Sequence, residues 1–333
     1  MFDYSLMFLT DALVFQELEH FKPKNNTTPD IAPSIVLKKC ALSLARPVAI
    51  LLRLSFYSGT VPNHWKKSLV LPLYKSGSNQ SKSELENYRP ISLTSDLAKL
   101  ADKLVFTEIS SYFRVIGAIP PSQHGFQSGK SVTSLLLECH DDWTLAIDNK
   151  MNIDFIMFDI RKAFDTVNIQ LLVHKLESLG ITGSCLSWIS DFLSNRSFKV
   201  KIGNSFSQNA EINSGVPQGG VLSPLLFNIF IADLVKLWNN ANVKIKQFAD
   251  DLGAYVIYDH NDINLKQSAL NDFIVHLVSW GNCNGMEISV RKCRVFYMGS
   301  NNPRKQYSIS NEIIESVSDT ARYLGLTLTP DLK

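Results

Sequence analysis

The chain has 333 residues, 45% of them apolar, enough for a sizeable core and for two or three domains. Its formal net charge of only +2 excludes a uniformly basic nucleic-acid binder, so any phosphate-binding surface must be local. Five cysteines (Cys40, Cys139, Cys185, Cys283 and Cys293) with no Cys-x-x-Cys pair exclude a disulfide framework and a cysteine zinc site, and read as buried thiols in a reducing compartment.

The first residues carry Asp3 and no early Lys or Arg, unlike a secretory signal. A short N-terminal helix is expected before a loop at 22–33 that holds Pro23, Pro29 and Pro33. A second helical stretch covers 35–57 and stops at Ser58-Gly59. The apolar run 69–74 reads as a strand and leads into a polar loop at 76–87. Helical spacing returns over 92–116 and over 132–147, where Leu135, Leu136, Cys139, Trp143 and Ile147 fall near one face. Residues 153–158 form a short buried strand with Asp159 at its end.

Helices follow at 169–179 and 184–193, then a strand pair at 198–202 and 208–212. Ser223 is placed to cap a helix that has Pro224 in its first turn. The run 221–235 comes nearest to a membrane span but holds Ser223, Pro224, Asn228 and Asp233, so no span of about 18 residues is expected and the chain reads as soluble and intracellular. Residues 243–249 and 252–258 flank Asp250 and Asp251 as a hairpin, 262–283 is a long amphipathic helix, and short strands are expected at 295–298 and 323–328. This order predicts an α+β fold with a mainly antiparallel sheet, in the manner of a split βαβ unit.

Three carboxylates carry the chemistry. Asp250 and Asp251 sit at a hairpin tip and Asp159 at the end of another strand. Carboxylate oxygen is a hard ligand suited to Mg²⁺ or Mn²⁺. Two such ions about 3.5–4 Å apart clamp the attacking and leaving oxygens of an in-line phosphoryl transfer. Each acid alone reads as an ordinary turn or strand-end residue. Alongside Ser214-Gly215-Val216-Pro217-Gln218-Gly219-Gly220, a turn whose glycines let backbone approach a ligand, the set points to nucleotide polymerisation. The two-residue period puts Asp250, Phe248, Lys246 and Lys244 on one strand face, which predicts a charged, wettable face beside the metal position. Val243, Ile245 and Ala249 are left to pack on helices.

Other signals are weaker. Gly129-Lys130-Ser131 lacks the earlier glycine of a P-loop, since His124 stands there. The seven histidines show no ligand spacing, and Trp65, Trp143, Trp188 and Trp280 read as packing residues, with Trp238 partly exposed. Three basic groups (Lys66, Lys67, Lys75, Lys82 and Arg89; Arg196, Lys199 and Lys201; Arg291, Lys292, Arg294, Arg304 and Lys305) can follow a phosphate backbone as a set.

Asn87-Tyr88-Arg89-Pro90-Ile91-Ser92-Leu93, Gln123-His124-Gly125-Phe126, the stretches 159–165, 214–231 and 248–251, and Tyr323-Leu324-Gly325 come in the order of a known set of motifs. With them the chain resembles the reverse transcriptases of non-LTR (LINE-type) retrotransposons, near the jockey-like branch. The resemblance implies a right-hand polymerase with fingers and palm, an antiparallel palm sheet packed on helices, and a thumb largely absent. The expected division is an N-terminal helical extension at 1–57 and a reverse transcriptase domain at 58–333, with fingers at about 58–150 and palm at about 151–333. It also implies a polymerase core alone, with no endonuclease and a truncated thumb.

The same resemblance implies site roles. Asp159 and Asp250 hold two Mg²⁺ ions, for which Mn²⁺ substitutes, with Asp251 assisting and the Ile160 backbone as a further ligand. Phe164 is the steric gate against a ribose 2′-OH, Lys75 and Arg89 hold the incoming triphosphate, Gln218 and Gly219 line the nascent base pair, and Lys292 lies on the pyrophosphate side. The implied partners are an RNA template, a DNA primer and deoxynucleoside triphosphates, with no membrane and with a nuclear point of action.

Some positions depart from the family pattern. Gln127 stands where a basic residue is usual, Gly220 where the branch more often has Ser, and Thr28-Pro29-Asp30-Ile31 replaces a Gly-Pro-Asp-Gly stretch. The rival readings are an idle relic that only binds RNA and, last, a two-metal nuclease, for which the gate and the Gly-Gln turn have no use.

Overall fold

The computed structural model describes residues 9–22, 33–74 and 81–332, and the chain divides into two compact units. One comprises Met1–Ile116 and Asn168–Leu226, the other Gly117–Val167 and Phe227–Lys333.

The first unit sets helices around a five-stranded sheet. Strand Lys67–Tyr74 lies between Tyr88–Thr94, antiparallel to it, and Arg196–Ile202, parallel to it. Strands Ser205–Phe206 and Ala210–Ile212 both pair with Arg196–Ile202, so the expected strand pair is present with one addition.

Two expected helices are shorter than their sequence spacing suggests. The stretch 35–57 breaks at Cys40 into Ser34–Lys39 and Ala41–Ser58, and Gly59 ends the second in a left-handed conformation (φ 64°) that suits glycine. The stretch 92–116 loses its start to strand Tyr88–Thr94, where Ser68 pairs with Thr94 and Val70 with Ser92. Helix Asp96–Val115 then begins behind Ser95, whose side chain accepts from the Ala98 N–H. Pairing with a strand distant in the chain overrides helical spacing here.

Ser223 is the first residue of helix Ser223–Lys236 and not its cap. The Leu222 carbonyl accepts from the Leu226 N–H, and the Ser223 hydroxyl is buried with no hydrogen-bond partner. Among the described residues helix Ala41–Ser58, rather than the run 221–235, is long and apolar enough to span a membrane by length and composition. One face buries Ala45, Val48, Ala49, Leu52 and Phe56, and the other exposes Leu42, Leu54 and Tyr57.

Asp102 on helix Asp96–Val115 is buried, with the Val221 N–H as hydrogen-bond donor and the Arg196 and Lys99 charges as favourable influences. Burial outweighs these and pushes its pKa from 3.8 up to about 7. The folded state therefore holds a proton that the unfolded chain has lost, and stability falls as pH rises from about 4 to about 7. Asp102→Asn is expected to flatten that slope and to gain stability at pH 8, with an upper bound of about 4 kcal/mol. Urea denaturation of both proteins at pH 4.5 and pH 8 measures it; equal slopes for the two would refute the assignment.

In the second unit a five-stranded sheet runs in the order Glu315–Val317, Arg294–Met298, Asn152–Phe158, Asp251–Tyr258 and Lys244–Phe248. All neighbours are antiparallel except the first pair, which is parallel. Strand Asn152–Phe158 is central and almost wholly buried, in keeping with an apolar run that only Asp154 interrupts.

Helix Val132–Asp148 covers one sheet face through Leu135, Cys139 and Trp143, packed on Ile153, Phe155, Tyr255 and Phe296. Helix Ile263–Asn284 contributes Phe273 edge-on to Phe158, and Trp238 leans on Phe273 and His276. The expected strand 323–328 is instead a hairpin, Ala321–Tyr323 with Leu326–Leu328. Its turn residues Leu324 (φ 48°) and Gly325 (φ 88°) are both left-handed, the signature of the tight turn that matches strand twist. Among the cysteines Cys139, Cys185 and Cys293 are buried, but Cys40 and Cys283 are exposed, so the thiols do not share one environment.

Candidate active site

The strand register builds the site. Phe158 pairs with Leu252, so Asp159, one residue beyond the strand, meets the start of strand Asp251–Tyr258. On the other side Phe248 pairs with Asp251, which leaves Ala249 and Asp250 as a two-residue turn. Only Ala249 of the two is left-handed (φ 56°), a conformation that costs a non-glycine residue roughly 1–2 kcal/mol. The backbone of Asp159 is tied down by the segment after the long helix: the Ser289 N–H donates to the Asp159 carbonyl (2.8 Å) and the Arg161 N–H to the Glu287 carbonyl (2.9 Å). Ile160 pairs with Ile288 between these bonds, so the Ile160 carbonyl takes no part in them.

Asp250 and Asp251 both sense the Asp159 charge. Burial, with the Asp159 charge adding to it, holds the Asp250 carboxyl above its ordinary value. Burial and then the charges of Asp250 and Asp159 push Asp251 up to about 6. The Asp159 Oδ1 atom is buried with no hydrogen-bond partner, and Lys292 Nζ stands 3.7 Å from it. This is concentrated negative charge with an unused hard-oxygen donor, which a divalent cation fits.

Among the described residues no three His, Cys, Asp or Glu side chains are gathered closely enough to hold an ion unaided. A cleft of about 360 Å³ opens beside the acids, lined by Asp159, Asp251, Lys292, Arg294, Arg322 and Tyr323. Tyr323 stands edge-on to Phe155, with ring centroids 5.0 Å apart.

Phe164 follows in the short helix Ala163–Thr166. It stacks on Phe227 at 4.3 Å and meets Phe126 edge-on at 6.2 Å, so its ring is held in place. Arg89, Gln218 and Gly219 belong to the first unit. Gly219 has φ 99°, and a Cβ there would lie 2.8 Å from the Ser92 carbonyl, so the Gly-Gln turn sits against the strand that carries Arg89 and only glycine permits it. Lys75 lies outside the described residues.

The charged strand face needs correction. Lys244, Lys246 and Phe248 do share a face, with Val243, Ile245 and Ala249 buried on the other. The lysines, however, do not border an open groove. Lys246 pairs with Glu138 (2.5 Å) and Lys244 with Asp142 (2.6 Å), both on helix Val132–Asp148. Their charge is spent on that helix, whose acids recur four residues apart.

Sequence reasoning also assigned no role to Gln123. Its side-chain amide is hydrogen-bonded to Ala249, 126 residues away. The proximity of Gln123 to Gly125 is the one local signal, and it does not say which backbone the pair meets.

Residues 75–328 match the family described as reverse transcriptase (RNA-dependent DNA polymerase). The chain is 27% identical over 297 residues to the probable RNA-directed DNA polymerase from transposon BS of Drosophila melanogaster, covering 87% of this chain and 32% of that protein. It is also 27% identical over 276 residues to the RNA-directed DNA polymerase from mobile element jockey of the same organism, covering 81% and 30%. The chain thus spans about a third of the length of these relatives. Among solved structures it is similar to apo telomerase from Candida tropicalis truncated from its C-terminal domain, with a TM-score of 0.53 and 13% identity over 88% of this chain and 60% of that one. The mixed helix-and-sheet architecture is accordingly that of polymerase fingers and palm.

Proposed function

Because the chain belongs to the reverse transcriptase (RNA-dependent DNA polymerase) family, members of which use divalent metals, we propose that it carries an RNA-directed DNA polymerase centre. It extends a DNA primer on an RNA template, and each step joins the primer 3′-oxygen to the α-phosphorus of a deoxynucleoside triphosphate as pyrophosphate leaves. The observation that supports this reading is the gathering of Asp159, Asp250 and Asp251 on adjoining strand ends, close enough that the Asp159 charge raises the pKa of both Asp250 and Asp251.

In this reading Asp159 and Asp250 hold the metal ions, with Asp251 and the Ile160 carbonyl completing the protein's share. Two Mg²⁺ ions, or Mn²⁺ in their place, supply Lewis-acid stabilisation of the attacking and leaving oxygens when bound. The protein's other groups bind and orient. Arg89 and Lys75 hold the triphosphate, where the planar guanidinium offers paired donors. Gln218 and Gly219 line the new base pair, and Lys292, already beside Asp159, neutralises charge on the departing pyrophosphate. Phe164, fixed against Phe227, closes the space a 2′-OH needs.

The division that goes with this reading assigns residues 1–57 to an N-terminal extension, about 58–150 to the fingers and about 151–333 to the palm. An intracellular, nuclear place of action goes with a DNA primer.

Primer extension on an RNA template, with Mg²⁺ and with chelator, tests the proposal. Metal-dependent incorporation of deoxynucleotides is expected. Phe164→Val is expected to raise ribonucleotide insertion relative to deoxynucleotide insertion by about 10–100-fold. A folded protein that binds the RNA yet adds no nucleotide would instead be the idle relic.

A further inference from the structure

We propose that Gln123 is a positioning residue for nucleotide transfer, one that sets the Asp250 carboxylate in place by holding the backbone of Ala249. The inference rests on the polymerase reading for what that carboxylate does, and on geometry for the rest. The Gln123 Nε2 donates to the Ala249 carbonyl (3.2 Å), and its Oε1 accepts from the Ala249 N–H (2.9 Å) and the Gly125 N–H (2.7 Å). One buried amide therefore grips both polar groups of the residue immediately before Asp250.

Ala249 is also the left-handed residue of the turn, a conformation that persists only where its surroundings over-determine it. The need for a grip is electrostatic. Asp159, Asp250 and Asp251 repel one another, and a turn free to move would relax by swinging Asp250 outward, dispersing the charge that collects the cation.

Gln123 is itself braced. Lys130 Nζ donates to the carbonyls of Pro121 and Gln123. The His124 N–H donates to the Gln247 carbonyl (2.8 Å), and the Gln247 N–H to the Ser122 carbonyl (2.9 Å). The Asn228 Nδ2 donates to the Gly125 carbonyl (2.8 Å). Gly125 is what admits the close approach, since a Cβ there would fall 2.2 Å from the Ala249 nitrogen. Of these residues only Gln123 bonds the turn's backbone; the others hold Gln123 and its neighbours in place. Gln123 thus acts on the reaction through Ala249 and needs no contact with substrate.

The test uses Gln123→Met, which keeps the length and loses the amide, and Gln123→Asn, which keeps an amide but shortens its reach by one methylene. Amide hydrogen–deuterium exchange is followed on the metal-free full chain over 246–252 and over 152–158. The turn is expected to exchange about tenfold faster in the variants while the central strand is unchanged. In primer extension kcat is expected to fall by about 10–100-fold with the KM for deoxynucleotide nearly constant, as for a group that orients a ligand's support.

Unchanged exchange at the turn, an equal rise over both segments, or a failure of both variants to fold would each overturn the proposal and leave Gln123 a general structural residue. The exchange measurement does not depend on activity. If the wild-type protein adds no nucleotide, the polymerase reading fails while the grip on the turn is still decided.

Discussion

Asp250→Ala is expected to lower single-turnover nucleotide addition by at least about 10³-fold, since the metals we propose it helps hold would contribute several kcal/mol to the transition state and about 4 kcal/mol is that factor in rate. The same change is expected to leave the metal-free fold as stable as before, or slightly more so. Asp250 occupies a turn, and burial and the neighbouring Asp159 hold its carboxyl above its ordinary value, so in the absence of cation its charge opposes folding. Because the group is only partly buried, the gain is expected to stay below about 1 kcal/mol.

The sign extends to pH. Asp251 is pushed up to about 6, so it is protonated in the folded state at a pH where the unfolded chain has already lost its proton. Stability without metal therefore falls as pH rises from about 4 through about 6. Added Mg²⁺ at pH 7.5 is expected to restore it in the wild type and not in Asp250→Ala, by binding only the folded state. Rapid-quench incorporation and thermal denaturation with and without Mg²⁺ measure both effects. A variant that loses stability along with activity would mark Asp250 as a structural acid.

Asp154→Ala is expected to behave in the opposite way, destabilising the second unit by about 3–5 kcal/mol. Asp154 lies within the central strand and is fully buried. Its carboxylate accepts from the Tyr258 hydroxyl (2.7 Å), the Tyr307 hydroxyl (2.5 Å), Asn302 Nδ2 (2.9 Å) and Gln267 Nε2 (3.2 Å). Burial, with the Asp154 charge adding, lifts both tyrosines far above their ordinary pKa, so they remain donors. Removing the carboxylate strands the two tyrosine hydroxyls in the interior and leaves Asn302 Nδ2 only the Ile153 and Met298 carbonyls and Gln267 Nε2 only the Tyr258 oxygen, and each lost partner costs more than a net hydrogen bond is worth. Asp154→Asn keeps the volume but offers one acceptor oxygen to four donors, so a smaller loss is expected. Urea denaturation measures the series; a change below about 1 kcal/mol for the alanine variant would show that water or rearrangement replaces the cage.

These two acids mark how far the sequence could be read. Asp250 stood out because an Asp pair between two alternating runs is a local pattern, and so did Asp159 at the end of an apolar run. Asp154, five residues before Asp159, carries no such signal, because its four partners come from three later segments of the chain. Helix and strand periods were legible wherever packing agreed with them, as in helix Val132–Asp148, whose expected face meets the sheet. They misled where distant pairing intervened, as at 92–94, which joins residues 68–70 in a sheet.

The sequence alone therefore pointed to the chemistry we propose through local patterns, an Asp pair inside a hairpin, an acid at a strand end and a glycine-rich turn, with the aromatic gate implied by family resemblance. Only the tertiary structure decided what surrounds them. Lys244 and Lys246 answer Asp142 and Glu138 on a helix, and the Gln123 amide grips Ala249, 126 residues on. The reason is physical. Backbone periodicity is a property of neighbours, whereas the partner of a buried amide or an ammonium is fixed by which distant segments the sheet brings within about 3 Å, the reach of a hydrogen bond.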